Sequence, residues 1–218
     1  MQNDVIKSYS SIQLNINKIK KADQEVKIIS VSKTFSMEKI LPLIKNGNIH
    51  FGENKVQEAT HKWTNIKNEY PKIKLHMIGK LQSNKSSSAI KLFDYIHSLD
   101  NQKLADTLHK HEINNNKKLK YFIQVNVGNE NQKSGITTNL IDQFYNYCTK
   151  EINLNVIGLM AIPPIDGNIA KHFNFLYEAN ASLGLTELSI GMSNDYVSAI
   201  KNNATYLRIG SAIFGKRN

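Results

Sequence analysis

Cysteine occurs once, at Cys148, in a chain of 218 residues, so neither a disulfide framework nor a thiolate metal cage can organise this protein. No apolar run approaches the ~20 residues of a membrane span. The opening MQNDVIKSYSSIQ carries an acid and scattered polar residues where a secretory leader needs an unbroken apolar stretch. Arginine is nearly missing: the 28 basic residues include only Arg208 and Arg217. The net charge of +10 suits a polyanion, but the lysines are spread along the chain instead of forming a block. No zinc-finger spacing, aromatic RNA-binding strand motif or basic heptad region accompanies them. Neither nucleic acid nor membrane is therefore an expected partner. What is left is a soluble chain expected in the reducing cytoplasm, long enough to bury roughly 70% of its unfolded surface in one domain.

Short apolar runs rich in β-branched residues recur along the chain, at 26–33, 49–54, 75–81, 95–100, 121–127, 156–162, 188–193 and 206–214. They lack clean alternation, as strands covered on both faces do. Segments with helical spacing lie between them. Val56, Ala59, Trp63 and Ile66 form one apolar stripe, Leu140, Phe144 and Tyr147 another, and Ile169, Phe173, Leu176 and Leu183 a third. Val5, Tyr9, Ile12, Ile16 and Ile19 predict a helix ahead of the first strand, while the serines at 86–88 weaken the helix that follows Ser83. Eight strands alternating with helices predict an α/β fold, a single-domain (β/α)₈ TIM barrel over 25–215 with an extra N-terminal helix over 1–22. An open doubly wound sheet is the competing arrangement; its Gly-rich turn after the first strand is missing.

In such a barrel the chemistry gathers where the strands end. The predicted ends bring Lys33, Asn54, Asn126, Met160, Ser193, Arg208, Gly210 and Ser211 to one mouth, with neither a carboxylate pair nor a histidine cluster among them. Lys33 follows KIISVS, and burial in an apolar mouth would lower its amine pKa and prepare it to attack a carbonyl; a solvated lysine is the plain alternative. The loops after strands seven and eight form the usual phosphate cradle of this fold. Here they read GMSND and RIGS, in which Ser193 or Asn194 could cap the next helix and Gly210 could admit close backbone approach. Arg208, an arginine inside a strand of a lysine-rich chain, suggests that a planar, permanently charged fork is wanted, unless it serves a structural ion pair. Arg217 belongs to a polar, solvated tail. Other constellations fail. Gly191-x-Ser193 lacks the second glycine of a nucleophile elbow, and the seven histidines are scattered, with His109 and His111 facing different ways on a helix. Glu53 and Glu58 read as surface or capping groups, and His76 and Trp63 as core.

A strand-one lysine, a phosphate cradle and an arginine together resemble a fold-type III pyridoxal-phosphate site. The stretches VSKT, HFGEN–VQE, HMIGKLQSNK, HSLD, IQVNVGNENQKSG, GLMAIPP, LSIGMSNDY and LRIGSAIFG, spread over about 25–215, are similar to those of the pyridoxal phosphate homeostasis proteins, single-domain barrels related to the N-terminal domain of alanine racemase. The resemblance implies pyridoxal 5′-phosphate held as a Schiff base on Lys33. It places Asn54 near the ring, Ile78 and Met160 in the walls, Ser193, Gly210 and Ser211 at the phosphate, and Arg208 at the pyridine nitrogen. Lys55 and Lys80 depart from the commonest family residues, at positions expected on the rim. No catalytic residue and no metal follow from it. A guanidinium does not protonate the ring, and the chain ends at Asn218 without the domain from which alanine racemase supplies its second base. The expectation is cofactor homeostasis without efficient turnover, involving other B6 vitamers and transient contact with apo-enzymes. An amino-acid racemase is the alternative, ahead of a Schiff-base aldolase or a nucleic-acid binder.

Overall fold

The computed structural model describes residues 2–128, 130 and 132–216, and Arg217 lies outside them. Eight parallel strands close into a barrel in chain order. They are β1 (Lys27–Val31), β2 (His50–Glu53), β3 (Lys74–Met77), β4 (Tyr95–Leu99), β5 (Lys120–Gln124), β6 (Val156–Met160), β7 (Glu187–Met192) and β8 (Tyr206–Ile209). Pairing of Lys27 with Tyr206 and Ser30 with Ile209 joins the first strand to the last. Helix α1 (Gln2–Ile19) precedes the barrel. One helix follows each strand: α2 (Met37–Lys45), α3 (Val56–Glu69), α4 (Ser86–Leu92), α5 (Gln102–Asn115), α6 (Ile141–Asn146), α7 (Ile169–Ser182), α8 (Tyr196–Lys201) and α9 (Ser211–Phe214).

Two apolar regions explain why the strand runs lack alternation. Outward-facing strand residues pack against the helix ring, with Phe51, Trp63, Leu75, Phe173 and Leu207 among its buried members. Inside the barrel a separate cluster of Ile29, Tyr95, Phe122, Met160 and Tyr206 fills the lumen. Both faces are covered, so most strand positions select for apolar side chains and the polar ones that remain, such as His76, His97, Ser189 and Arg208, are buried among them. Helix α1 buries Val5, Ile12 and Ile16 and packs on α2, α8 and α9.

Two expectations need correction. The last apolar run extends to Phe214, but β8 stops at Ile209; at Gly210 the chain leaves the sheet and α9 begins. In the stripe expected at Leu140, Phe144 and Tyr147, Leu140 is 42% exposed, and the buried positions are Ile141, Phe144 and Cys148. The cause is local. A 3₁₀ turn over Thr138–Leu140 opens the helix and a π turn over Tyr147–Glu151 closes it, so the phase departs from 3.6 at both ends.

Barrel closure depends on close backbone approach at one glycine. A Cβ on Gly158 of β6 would fall 1.8 Å from the Glu187 carbonyl oxygen of β7. Gly158→Ala should therefore lower stability by about 1–3 kcal/mol or more by forcing the two strands apart. Chemical denaturation measures this, and an unchanged midpoint would contradict the packing described.

Candidate functional site

The chain order of the strands places β1 between β2 and β8, so Lys33, Asn54 and Arg208 arise on three adjacent strands. Lys33 follows the end of β1 and is half-buried. The next residue, Thr34, has φ of 67°, a left-handed backbone that a β-branched side chain rarely adopts. The strain is held by a network beneath it. Thr34 N–H donates to Glu58 Oε1 at 2.6 Å, and Lys62 Nζ donates to the Ser32 carbonyl at 3.0 Å and to Glu58 at 3.1 Å. Burial pushes the Glu58 carboxyl up, but the Thr34 N–H and the Lys62 ammonium outweigh it and hold it below its ordinary value.

The anchor of this network is Glu53, which is fully buried instead of at the surface. Its Oε1 accepts from Ser32 Oγ at 2.8 Å, Lys62 Nζ at 2.9 Å and Trp63 Nε1 at 2.9 Å. Thus β2 and α3 fix the turn that carries Lys33. The spacing of Glu58 and Lys62, one helical turn apart, was the available sequence signal for this arrangement.

Arg208 lies in β8 and is 4% exposed. Its Nη1 donates to the Ser189 carbonyl at 2.6 Å and to Ser189 Oγ at 2.7 Å, and its Nη2 donates to the Ala161 carbonyl at 2.9 Å. These acceptors are neutral, so the fork is oriented by β6 and β7 without a carboxylate ion pair among the described residues. Burial pulls the guanidinium down to about 10, a shift that Asp195 opposes, and it stays charged at neutral pH.

The loops after β7 and β8 meet directly. Ser193 Oγ accepts from the Gly210 N–H at 3.3 Å and the Ala212 N–H at 3.2 Å. The helix after β7 is capped by neither Ser193 nor Asn194: its N-cap is Asp195, whose Oδ1 accepts from the Met192 N–H at 2.5 Å. Ser193 is thereby released to gather the amides at the start of α9. Ser211 opens that helix and is exposed. Gly210 has φ of −115°, and a Cβ there would meet Val31 Cβ at an ordinary 3.4 Å, so the protein's own packing does not require a glycine.

Asn54 follows β2 and is half-buried, with a buried Oδ1 that has no hydrogen-bond partner among the described residues. Its backbone lies so close to Gly79 that a Cβ on that glycine would fall 2.5 Å from the Asn54 carbonyl oxygen. Ile78 follows β3 and leans over Gly52, whose added Cβ would lie 3.1 Å from Ile78 Cδ1. Met160 is fully buried in the luminal cluster. Lys55 and Lys80 are exposed.

The histidines are not all scattered. His50, His76 and His97, on β2, β3 and β4, stand in line inside the barrel. Successive ring nitrogens are 2.9 Å apart, and His97 Nδ1 lies 2.9 Å from Ser189 Oγ. Their sequence spacing gave no hint, because each comes from a different strand and only barrel closure aligns them.

The barrel is of the alanine racemase N-terminal type: residues 8–218 match the family described as alanine racemase, N-terminal domain. An alanine racemase from Clostridium difficile shares the fold with a TM-score of 0.76 at 12% identity, over 99% of this chain and 57% of that one. More closely similar is the pyridoxal phosphate homeostasis protein of Haemophilus influenzae, 36% identical over 95% of this chain and 97% of its own. That of Vibrio alginolyticus is 35% identical over 96% and 94% respectively. PipY of Synechococcus elongatus, whose structure was solved with pyridoxal phosphate bound, superposes with a TM-score of 0.83 at 30% identity, over 97% of this chain and all of that one. The chain belongs to the pyridoxal phosphate homeostasis protein family.

Burial pulls His50 down to about 4 and holds His76 and His97 well below the ordinary imidazole value. The folded protein keeps them neutral where the unfolded chain, with imidazoles near 6.5, takes up protons. Their contribution to stability is complete above about pH 6.5 and is lost as pH falls towards 4. Below about pH 6 each adds up to about 1.4 kcal/mol per pH unit to the loss. Equilibrium unfolding across this range should show the slope, and His76→Gln should reduce it. A flat profile would mean that the rings are charged when folded.

Proposed function

We propose that the mouth of this barrel binds pyridoxal 5′-phosphate covalently through Lys33, and that the protein manages the cofactor instead of turning over a substrate. The observation that carries the reading is the junction at Ser193, where the hydroxyl from the loop after β7 meets the Gly210 and Ala212 N–H groups of the loop after β8, beside the strand that leads to Lys33. In this fold the loops after strands seven and eight and a short extra helix are the usual phosphate cradle. Three features suit the group. Ser193 and Ser211 offer hydroxyl donors to a phosphate, at the junction where the Gly210 N–H meets Ser193. The buried Asn54 Oδ1 has no hydrogen-bond partner among the described residues. Arg208 presents a charged fork whose acceptors among the described residues are all neutral. Ile78 and Met160 supply apolar wall.

When bound, the cofactor supplies an aldehyde that an amine captures reversibly with loss of water. Lys33 is that amine in our reading, held on its strained turn by Glu53, Glu58 and Lys62. Arg208 would donate to the pyridine nitrogen without protonating it, because a guanidinium at about 10 keeps its proton at neutral pH. The ring is then a weak electron sink, which suits storage and exchange better than catalysis. The names of the relatives, homeostasis proteins in each case, support the same view. Exchange with apo-enzymes follows from the reversibility of the capture, while other phosphorylated B6 vitamers would share only the phosphate and Arg208 contacts. No helix among the described residues is long and apolar enough to cross a membrane.

Borohydride treatment of the loaded protein should add the reduced cofactor mass at Lys33 and nowhere else, and Lys33→Ala should abolish both that mass and the visible absorption. A mass increment surviving in Lys33→Ala would place the link elsewhere. Arg208→Glu should weaken retention by about tenfold or more, the scale of a charge-assisted hydrogen bond, and shift the absorption band as the ring nitrogen gains a proton. An identical spectrum and affinity would show that Arg208 is remote from the ring.

A further inference from the structure

The three histidines aligned inside the barrel have no part in the site as described. His76 stacks on Tyr95 with ring centroids 4.2 Å apart and planes at 15°, and His97 stacks on Phe122 at 4.2 Å and 20°. His76, His97 and Ser189 are fully buried. The rings run in line instead of converging, and no group among the described residues is arranged to hold a metal ion. One end of the line is Ser189 Oγ, 2.7 Å from Arg208 Nη1. The other end is His50, which lines a polar cavity of about 260 Å³ with Lys27, Asn48 and Gln13 at the floor of the barrel.

Donor and acceptor counting gives this line a direction. A guanidinium has only N–H donors, so Ser189 Oγ must accept from Arg208. The serine hydrogen then needs an acceptor, and the other polar group on Ser189 Oγ is His97 Nδ1. A neutral imidazole carries one N–H, which places the hydrogen of His97 on Nε2, facing His76 Nδ1. The same step puts the His76 hydrogen on Nε2, donating to His50 Nδ1, and leaves the His50 N–H directed away from the line. The opposite order would make Ser189 accept from both Arg208 and His97 and would leave a buried hydroxyl hydrogen without an acceptor. Burial keeps all three rings neutral, as the count requires. Lys27 and Lys74 act against a proton on His50, while Asp94 and Glu25 act for it.

We propose that His97 and His76 are positioning residues for the cofactor site: through the Ser189 hydroxyl they fix the orientation of Arg208, and they couple it to His50 at the opposite end of the barrel. The part concerning the ring rests on the cofactor reading above; the direction of the line does not. Occupation of the mouth changes how the guanidinium shares its hydrogens, and each bond of a polarised chain responds to its neighbour.

The test is long-range ¹H–¹⁵N spectroscopy of histidine-labelled protein. In cofactor-free protein at neutral pH, His50, His76 and His97 should each be the neutral Nε2–H tautomer. An Nδ1–H or charged form of His76 or His97 would overturn the proposal. Ser189→Ala and, separately, Arg208→Met should each release the direction and give mixed tautomers as far away as His50, whereas Ser189→Thr, which keeps the hydroxyl, should restore a single form. Tautomers unmoved by both Ser189→Ala and Arg208→Met would show a merely structural stack. Adding pyridoxal 5′-phosphate should then shift the His50 nitrogens in the wild type and in Ser189→Thr but not in Ser189→Ala, which should also bind about tenfold more weakly. A His50 signal indifferent to bound cofactor in the wild type would refute the coupling. Correct tautomers in a protein that takes up no cofactor would refute the cofactor reading while leaving the directed line in place.

Discussion

The buried guanidinium of Arg208 is the constraint around which the rest of this barrel is arranged. A permanent charge inside a protein is costly unless hydrogen bonds replace its water, and here two carbonyls and one hydroxyl from β6 and β7 do so. Among the described residues no carboxylate is hydrogen-bonded to it, and Asp195 acts on it only through space. The charge is thus oriented by dipoles and is not cancelled, which is what recognition of an uncharged aromatic nitrogen calls for. An Asp or Glu in contact would have stabilised the arginine alone and dulled its effect on anything bound beside it.

The lysine side of the mouth is built on the opposite plan. There the charges are paired. Glu53 is buried and accepts from Ser32, Lys62 and Trp63, and Glu58 receives both Lys62 and the Thr34 N–H. This dense network holds Thr34 in a left-handed conformation that costs about 1–3 kcal/mol, and it thereby sets the turn from which Lys33 extends. Strain beside Lys33, over-determined by a buried ion pair, limits the ways in which its amine can be presented. On the function proposed, the barrel combines a charge held by neutral dipoles at the ring with a rigid platform for the covalent partner.

The fold was legible in the sequence because its signal is repetitive. Eight β-branched runs lacking alternation correspond to eight strands buried on both faces, and each falls where β1 to β8 lie. Positions at strand ends were legible for the same reason, since one topology sends Lys33, Asn54, Ser193 and Arg208 to a common mouth. What could not be read were pairings across strands. Glu53 looked like a surface acid because its partners Trp63 and Lys62 lie on the following helix, on a face that apolar periodicity alone does not identify as polar-buried. His50, His76 and His97 looked unrelated because their alignment exists only once three strands are registered side by side. Boundaries failed where helical phase was altered by 3₁₀ and π turns, as at Leu140.

The role proposed for Arg208 is decided by the state of the ring nitrogen beside it. The most direct measurement is the ¹⁵N chemical shift of ring-labelled pyridoxal 5′-phosphate bound to the protein at neutral pH. A shift in the unprotonated pyridine range, displaced by an accepted hydrogen bond and lost in a variant lacking the guanidinium, is the result predicted. A pyridinium shift in the wild-type protein would contradict the role assigned to Arg208.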